Sequence, residues 1–193
     1  MTRKMTMALA TLCIAAGTFA AAVWEGGGSD AKWSNVENWR NSAKPQNGEG
    51  VTVAGSYSGD IELDEDYTMS GGQFIFNQYN GDGKATVRLT GDHTLTLNYG
   101  GAALYLYLGR ELIIDGARIE NINNSGGFNI NAGSHVEIRS GAYIETGSSG
   151  SGYVQGDLTI TGGEFRPRRL ARNAGTQLLL SGGILDFKVD NGT

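Results

Sequence analysis

Met69-Ser70-Gly71-Gly72, Leu89-Thr90-Gly91-Asp92, Ile114-Asp115-Gly116-Ala117, Arg139-Ser140-Gly141-Ala142, Ile160-Thr161-Gly162-Gly163 and Leu180-Ser181-Gly182-Gly183 read as six copies of one short pattern. Their central glycines fall at 71, 91, 116, 141, 162 and 182, at intervals of 20, 25, 25, 21 and 20 residues. Self-similarity at a period of this size marks a stacked solenoid.

Two apolar residues alternate before each glycine, and one or two follow it. The sets are Tyr67 and Met69, then Phe74 and Phe76; Val87 and Leu89, then Leu95 and Leu97; Leu112 and Ile114, then Ile119; Val136 and Ile138, then Ile144; Leu158 and Ile160, then Phe165; Leu178 and Leu180, then Leu185 and Phe187. Period-two alternation in short runs is the signal of a half-buried strand. The glycine sits at a bend with little room for a side chain. Each repeat therefore reads as strand, tight corner, strand, then a variable loop or third strand. One strand pair cannot bury its apolar face alone, whereas copies stacked along an axis bury a continuous core and pair their backbones. The expected fold is all-β: a single-stranded, right-handed parallel β-helix of about six to seven coils. Val51-Thr52-Val53 is its expected first strand and Ile61-Glu62-Leu63 a second.

The start of the chain points to export. Arg3 and Lys4 precede an uncharged apolar stretch from Met5 to Phe19, and Ala20-Ala21-Ala22 supplies small residues for cleavage. That is the layout of a secretory signal peptide, expected over residues 1–22. The stretch is too short for a comfortable membrane span, and no other segment is apolar enough to span. The single cysteine, Cys13, follows Leu12, where a lipoprotein signal wants a small residue. A mature chain without cysteine relies on its ladder and core rather than on disulfides. The expected location is secreted or cell surface.

Composition agrees. Glycine counts 31 of 193 residues, proline 2, and charged residues make up 18%, a balance suited to a β-rich secreted scaffold. The net charge is -5, and without Arg3 and Lys4 the chain holds 13 basic against 20 acidic residues. An acidic surface argues against a nucleic-acid partner. The expected organisation is a signal over 1–22, a tryptophan-rich N-terminal cap over 23–50 and the parallel coils over 51–193.

The tryptophan segment carries a resemblance. Val23-Trp24-Glu25-Gly26-Gly27-Gly28, followed by Lys32-Trp33-Ser34-Asn35-Val36-Glu37-Asn38-Trp39, then Pro45 and Val51-Thr52-Val53, resembles the opening of many bacterial surface proteins. Such openings precede autotransporter-passenger-like and pectin-lyase-like right-handed β-helices. The resemblance covers about 30 residues closely and the repeats only as a general type. Members of that group are typically longer and usually carry a C-terminal translocator barrel or a sorting signal; with this sequence stopping at Asp190-Asn191-Gly192-Thr193 just after a strand, a fragment of a longer protein is the favoured expectation, a last coil covered by a partner or a fraying end the alternatives. The three rings can cover the exposed core and strand edge of the first coil; a sugar-stacking platform is the alternative use.

Several clusters bear on chemistry. Asp60, Glu62, Asp64, Glu65 and Asp66 form an acidic run. Calcium takes carboxylate and carbonyl oxygens, but the spacing is not that of an EF-hand, and a solvated edge is the favoured reading. No metal and no cofactor is expected. Arg166, Arg168, Arg169 and Arg172 crowd around Pro167. Guanidinium groups can hold acidic polysaccharide through bidentate pairs, or simply offset nearby acids. Pectate lyases carry an Arg-x-Pro-x-x-Arg stretch, but here Phe165 and Leu170 occupy the arginine places. Ala103-Leu104-Tyr105-Leu106-Tyr107-Leu108 reads as a strand. With its leucines inward, Tyr105 and Tyr107 point outward together, either as a sugar-stacking pair or from β-propensity alone. His93 and His135 lack a matched ligand set, and Asp92, Asp115 and Asp157 are scattered, although Asp92 and Asp115 flank repeat glycines on adjacent coils and are expected either to lie near each other or simply to solvate the corner. Asn77, Asn98 and Asn121 each follow a strand and are expected to form an amide ladder at a corner.

Two functions stay open. One is an exported, non-enzymatic β-helix scaffold, surface or adhesin-like. The other is a pectin-lyase-like carbohydrate-active enzyme or a carbohydrate-binding β-helix. Carbohydrate or another cell-surface component is the expected partner.

Overall fold

The structure is a computed structural model that describes residues 21–46 and 48–187. The chain winds through three parallel sheets in turn, making a β-solenoid of about six turns. Sheet A has seven strands, Ala22–Trp24, Val51–Val53, Phe74–Phe76, Gly101–Leu106, Gly126–Ile130, Ser151–Val154 and Arg169–Arg172. Sheet B has six, Gly59–Glu62, Ala85–Thr90, Arg110–Ile114, His135–Ile138, Asp157–Ile160 and Leu178–Leu180. Sheet C also has six, Tyr67–Met69, Thr94–Leu97, Arg118–Asn121, Tyr143–Glu145, Glu164–Arg166 and Ile184–Leu185.

Alternation decides what faces the axis. Sheet B stacks Ile61, Leu89, Ile114, Ile138 and Ile160 in register, and sheet C stacks Tyr67, Leu95, Ile119, Ile144 and Phe165. All are buried in one core. Each buried Leu or Ile contributes about 2 kcal/mol relative to exposure. The intervening residues form three outer faces.

The repeat glycines mark one corner, between sheets B and C. Gly91, Gly116 and Gly141 take φ of 103°, 87° and 79°. They stack so closely that a Cβ on Gly116 would lie 3.3 Å from the Gly91 carbonyl oxygen. Gly71 does not belong to this column. Tyr67–Met69 is a strand of sheet C and Phe74–Phe76 a strand of sheet A, so Gly71 turns a different corner. The first coil makes the B-to-C turn at Leu63-Asp64, without glycine.

Two further expectations need correction. The first strand is Ala22–Trp24, not Val51–Val53; it pairs in parallel with Val51–Val53, so the tryptophan segment begins inside sheet A. The signal expected over 1–22 otherwise lies outside the described residues but for Ala21, as do residues 188–193. The asparagine ladder is not formed as expected. Asn77 follows a sheet A strand, and Asn121 turns into the core row beside Leu97, where it is 4% exposed. Asn98 instead accepts from Asn123 Nδ2 at 3.4 Å.

At the N-terminal end Trp24, Trp33 and Trp39 are buried together. Trp39 meets the other two edge-on, at 5.0 Å from Trp24 and 4.8 Å from Trp33 between ring centroids. Trp33 also packs on Tyr67 and Phe74. Asn38 ties the segment down: its Nδ2 donates to the carbonyls of Asp30 and Lys32, and its Oδ1 accepts from the Gly28 N–H.

Candidate functional site

The three outer faces differ in chemistry. Sheet B is ionic. Thr86, Glu111, His135 and Thr159 lie on four successive coils and form a chain along the axis. Thr86 Oγ1 donates to Glu111 Oε2 at 2.6 Å, Glu111 Oε1 lies 3.0 Å from His135 Nδ1, and His135 Nε2 lies 3.0 Å from Thr159 Oγ1. Those bonds, Thr86 first and His135 next, hold the Glu111 carboxyl below its ordinary range. Beside this chain Arg88 pairs with Asp115 at 2.8 Å and Arg139 with Glu137 at 2.9 Å. The order carboxylate, imidazole, hydroxyl is that of an activated nucleophile. Thr159 is mid-strand, however, between parallel neighbours on both sides. Backbone N–H groups in such a strand serve the ladder rather than an oxyanion.

Sequence reasoning left this chain unseen. Its members sit at 86, 111, 135 and 159, intervals of 25, 24 and 24 residues. The glycine period, applied to polar residues, finds them.

Sheet C is mixed. Arg118 lies 3.8 Å over the Tyr143 ring, and Arg166 Nε donates to Asp186 Oδ2 at 2.9 Å. Among the described residues no three His, Cys, Asp or Glu side chains are grouped to hold a metal ion. The acidic run is divided among separate tasks. Asp64 accepts from the Ser34 N–H and hydroxyl, Glu65 pairs with Lys44, and Asp66 accepts from the Thr94 N–H at 2.7 Å. Asp92 and Asp115 do not converge: Asp115 binds Arg88, while the Asp92 side chain is 99% exposed.

The arginine cluster is likewise dispersed. Arg166 lies on sheet C between Glu164 and Asp186. Arg168 follows it, its N–H bonded to Thr146 Oγ1 at 3.0 Å. Arg169 is exposed on sheet A beside Ser151. Arg172 pairs with Val154, in the row whose earlier members are core, and its Nη2 donates to the Thr176 carbonyl at 2.7 Å. Arg166 thus stands on sheet C, and Arg169 and Arg172 on sheet A.

Sheet A is the neutral face. Its central outward row runs Thr52, Ile75, Tyr105, Asn129, Tyr153 and Ala171 in register. Beside it Asn77, Tyr107, Asn131, Gln155 and Asn173 continue the ladder at the strand ends. Neither row contains a charge. Leu104 and Leu106 are buried, so Tyr105 and Tyr107 do point outward together, with ring centroids 4.5 Å apart and planes tilted by 40°. Tyr153, 53% exposed, stands on the same face two strands along from Tyr105. A shallow groove of about 300 Å³ beside it is lined by Ser125, Asn129, Ser149, Ser151 and Tyr153. Gly101, Ala102 and Gly127 also line it, Gly127 pairing in register with Ala102, and these small residues keep the groove floor low. Tyr153 escaped sequence reasoning because Ser151-Gly152-Tyr153-Val154 is too glycine-rich and short to stand out as a strand.

One buried group stands apart. Arg110 is fully buried at the start of a sheet B strand, in the inward row with Leu112 and Ile114. Its Nη1 donates to the Gly55 and Tyr57 carbonyls at 3.0 and 2.9 Å, while Nε and Nη2 have no partner. Loss of hydration brings its pKa down to about 10. No helix among the described residues is long and apolar enough to cross a membrane.

Comparison of the chain with protein-family models, with curated proteins and with solved structures gives no match.

Proposed function

We propose that the chain is an exported, non-enzymatic β-helix scaffold of the cell surface, adhesin-like in use and wound right-handed as parallel crossovers prefer. On this reading the chain opens with an export signal that ends before Ala22, and the three tryptophans are the cap of its first coil. The resemblance of that segment to autotransporter-passenger-like and pectin-lyase-like openings supports the same reading. The observation that carries it is the chain Thr86–Glu111–His135–Thr159 with its flanking ion pairs. Acid and base groups that bond to one another from coil to coil reinforce the stack; they do not converge on a cleft where a substrate is held. The test is incubation with a panel of plant and algal polysaccharides, reading reducing ends and unsaturated products. Neither should rise above a heat-treated control, and release of either overturns the non-enzymatic reading.

A second reading, carbohydrate binding, is favoured by the outward pair of half-buried Tyr105 and exposed Tyr107, in rows that carry no charge. Aromatic rings stack on the apolar faces of sugars while amides and hydroxyls bond the hydroxyl rim. Retention on immobilised polysaccharide, lost in Tyr105→Ala, is the expected result; equal retention of wild type and variant removes the site.

A further inference from the structure

We infer that the outer face of sheet A binds a neutral, extended β-1,4-linked glycan lying along the solenoid axis, with Tyr105 and Tyr153 stacked on alternate sugar rings. This rests on the carbohydrate-binding reading and specifies the chain, its charge and its direction.

Register supplies the direction. Tyr105 pairs with Asn129, and Asn129 with Tyr153, so the three occupy one row parallel to the axis. Adjacent strands lie ~4.8 Å apart, which separates the two tyrosine positions by roughly 9.6 Å. A flat β-1,4-linked chain turns each sugar over relative to the last, so every second ring presents the same face, and its disaccharide repeat has a comparable length. Tyr105 and Tyr153 therefore meet like faces of sugars n and n+2. The sugar between them lies over Asn129, whose Oδ1 is buried without a hydrogen-bond partner in the free protein; a sugar hydroxyl that reaches it satisfies that acceptor. Tyr107, packed beside Tyr105, widens the platform. The hydroxyls of Ser125, Ser149 and Ser151 border the groove on the other side. An α-1,4-linked glucan coils and cannot follow a straight row.

Charge supplies the class. Sheets B and C carry the ion pairs, whereas both outward rows of sheet A from Thr52 to Asn173 are uncharged. The only charges on its strands from Val51–Val53 onward are Arg169, beside Ser151, and Arg172, both exposed on the last strand. A polyuronate would place a carboxylate on every sugar against a surface with almost nothing to neutralise it. A neutral glycan desolvates only hydroxyls, which amides and serines can re-bond.

The test is calorimetric titration of the full chain with cellohexaose, chitohexaose, maltohexaose and an oligogalacturonate of equal length. Binding to cellohexaose or chitohexaose is expected. Tyr105→Ala and Tyr153→Ala should each weaken it by about tenfold, the scale of one lost aromatic stack. Tyr153→Phe should keep the affinity, because the ring and not the hydroxyl is used. Thermal unfolding of the variants checks that the fold is intact. Binding that survives Tyr153→Ala but not Tyr105→Ala overturns the axial direction. Preference for maltohexaose or oligogalacturonate overturns the glycan class while sparing the carbohydrate-binding reading. Binding to none of the four removes that reading itself.

Discussion

The Gly91 Cα passes directly over the Leu63 carbonyl of the preceding coil: a Cβ at Gly91 would lie 2.2 Å from that oxygen. Leu63 in turn donates its N–H to the Thr90 carbonyl at 2.9 Å. The coil spacing at this corner is fixed by backbone against backbone. With φ at 103°, Gly91 also takes a conformation that side chains resist.

Gly91→Ala therefore meets both strain and overlap, and neither neighbour can yield without breaking the ladder. The expected loss is about 3 kcal/mol, or roughly 6–12 °C in Tm for a chain of this size. Gly83→Ala is the control. Its φ is also positive, at 80°, but nothing lies within 4 Å of the added carbon. It should cost no more than about 1 kcal/mol, the strain alone. Equal Tm values for the two variants, measured by circular dichroism, would show that the corner is not close-packed.

This pair also explains what was legible in the sequence. Five of the six glycine motifs lie at the B-to-C corner, because stacked backbones leave no room for Cβ there and the constraint repeats with every coil. The sixth misled. Ser70-Gly71-Gly72 has the motif's letters but turns from sheet C to sheet A, while the true equivalent, Leu63-Asp64, has no coil described below it of the same kind and needs no glycine. Tyr105 and Tyr107 were legible because their leucine neighbours fix the phase. Ala22–Trp24 was not, since three residues beside a long apolar stretch carry no periodicity. Arg110 follows the same alternation as Leu112 and Ile114, but a charged residue at an inward position adds nothing to an apolar pattern.

Arg110 makes a distinct prediction. Arg110→Ala leaves the Gly55 and Tyr57 carbonyls without their donor and opens a cavity, so a loss of about 3 kcal/mol is expected. Arg110→Met keeps most of the volume and removes a guanidinium that is dehydrated and has no carboxylate partner. It should cost less than about 1.5 kcal/mol, since the relieved desolvation offsets the two lost hydrogen bonds. Urea unfolding of both variants decides it; a methionine variant as unstable as the alanine one would show that the charge itself holds the loop at Gly55–Tyr57.

The ionic ladder sets the acid limit. Glu111 and Glu137 both have carboxyls held below the ordinary value of 4.5, Glu111 by Thr86 and then His135, Glu137 chiefly by Arg139. Asp66 is held below 3.8 by the Thr94 N–H and His93. A group whose folded pKa is depressed binds its proton more readily when unfolded. Its contribution is complete above the unfolded value and disappears as pH falls through the folded one. Tm should fall progressively below pH 4.5 from these groups. Glu111→Gln should lower Tm slightly at pH 7, by less than about 1 kcal/mol in stability for a partly exposed pair, and the difference should shrink as pH falls below 4.5. A gap between wild type and variant that widens in acid would contradict this assignment.

The last prediction concerns the first strand. Ala22 pairs with Val51 and donates its N–H to the Gly50 carbonyl at 3.1 Å, and Trp24, two residues on, is fully buried. On the export reading, the signal peptidase must cut within or just before Ala20-Ala21-Ala22. A cut after Ala22 would leave Val23 as a charged terminus at the edge of sheet A and remove one rung of its pairing. The ordered pairing therefore selects an earlier cut, giving Ala21 or Ala22 as the first residue of the exported protein. Intact-mass spectrometry of secreted material reads this directly, and a terminus at Val23 or beyond would show that the strand is not needed. A chain shortened to begin at Glu25 tests the energetic side. It loses Trp24 from its contacts with Trp33 and Trp39 and uncovers Val51 and Val53. The expected consequence is a loss of about 3 kcal/mol or more and self-association through the bared strand edge, visible by size-exclusion chromatography.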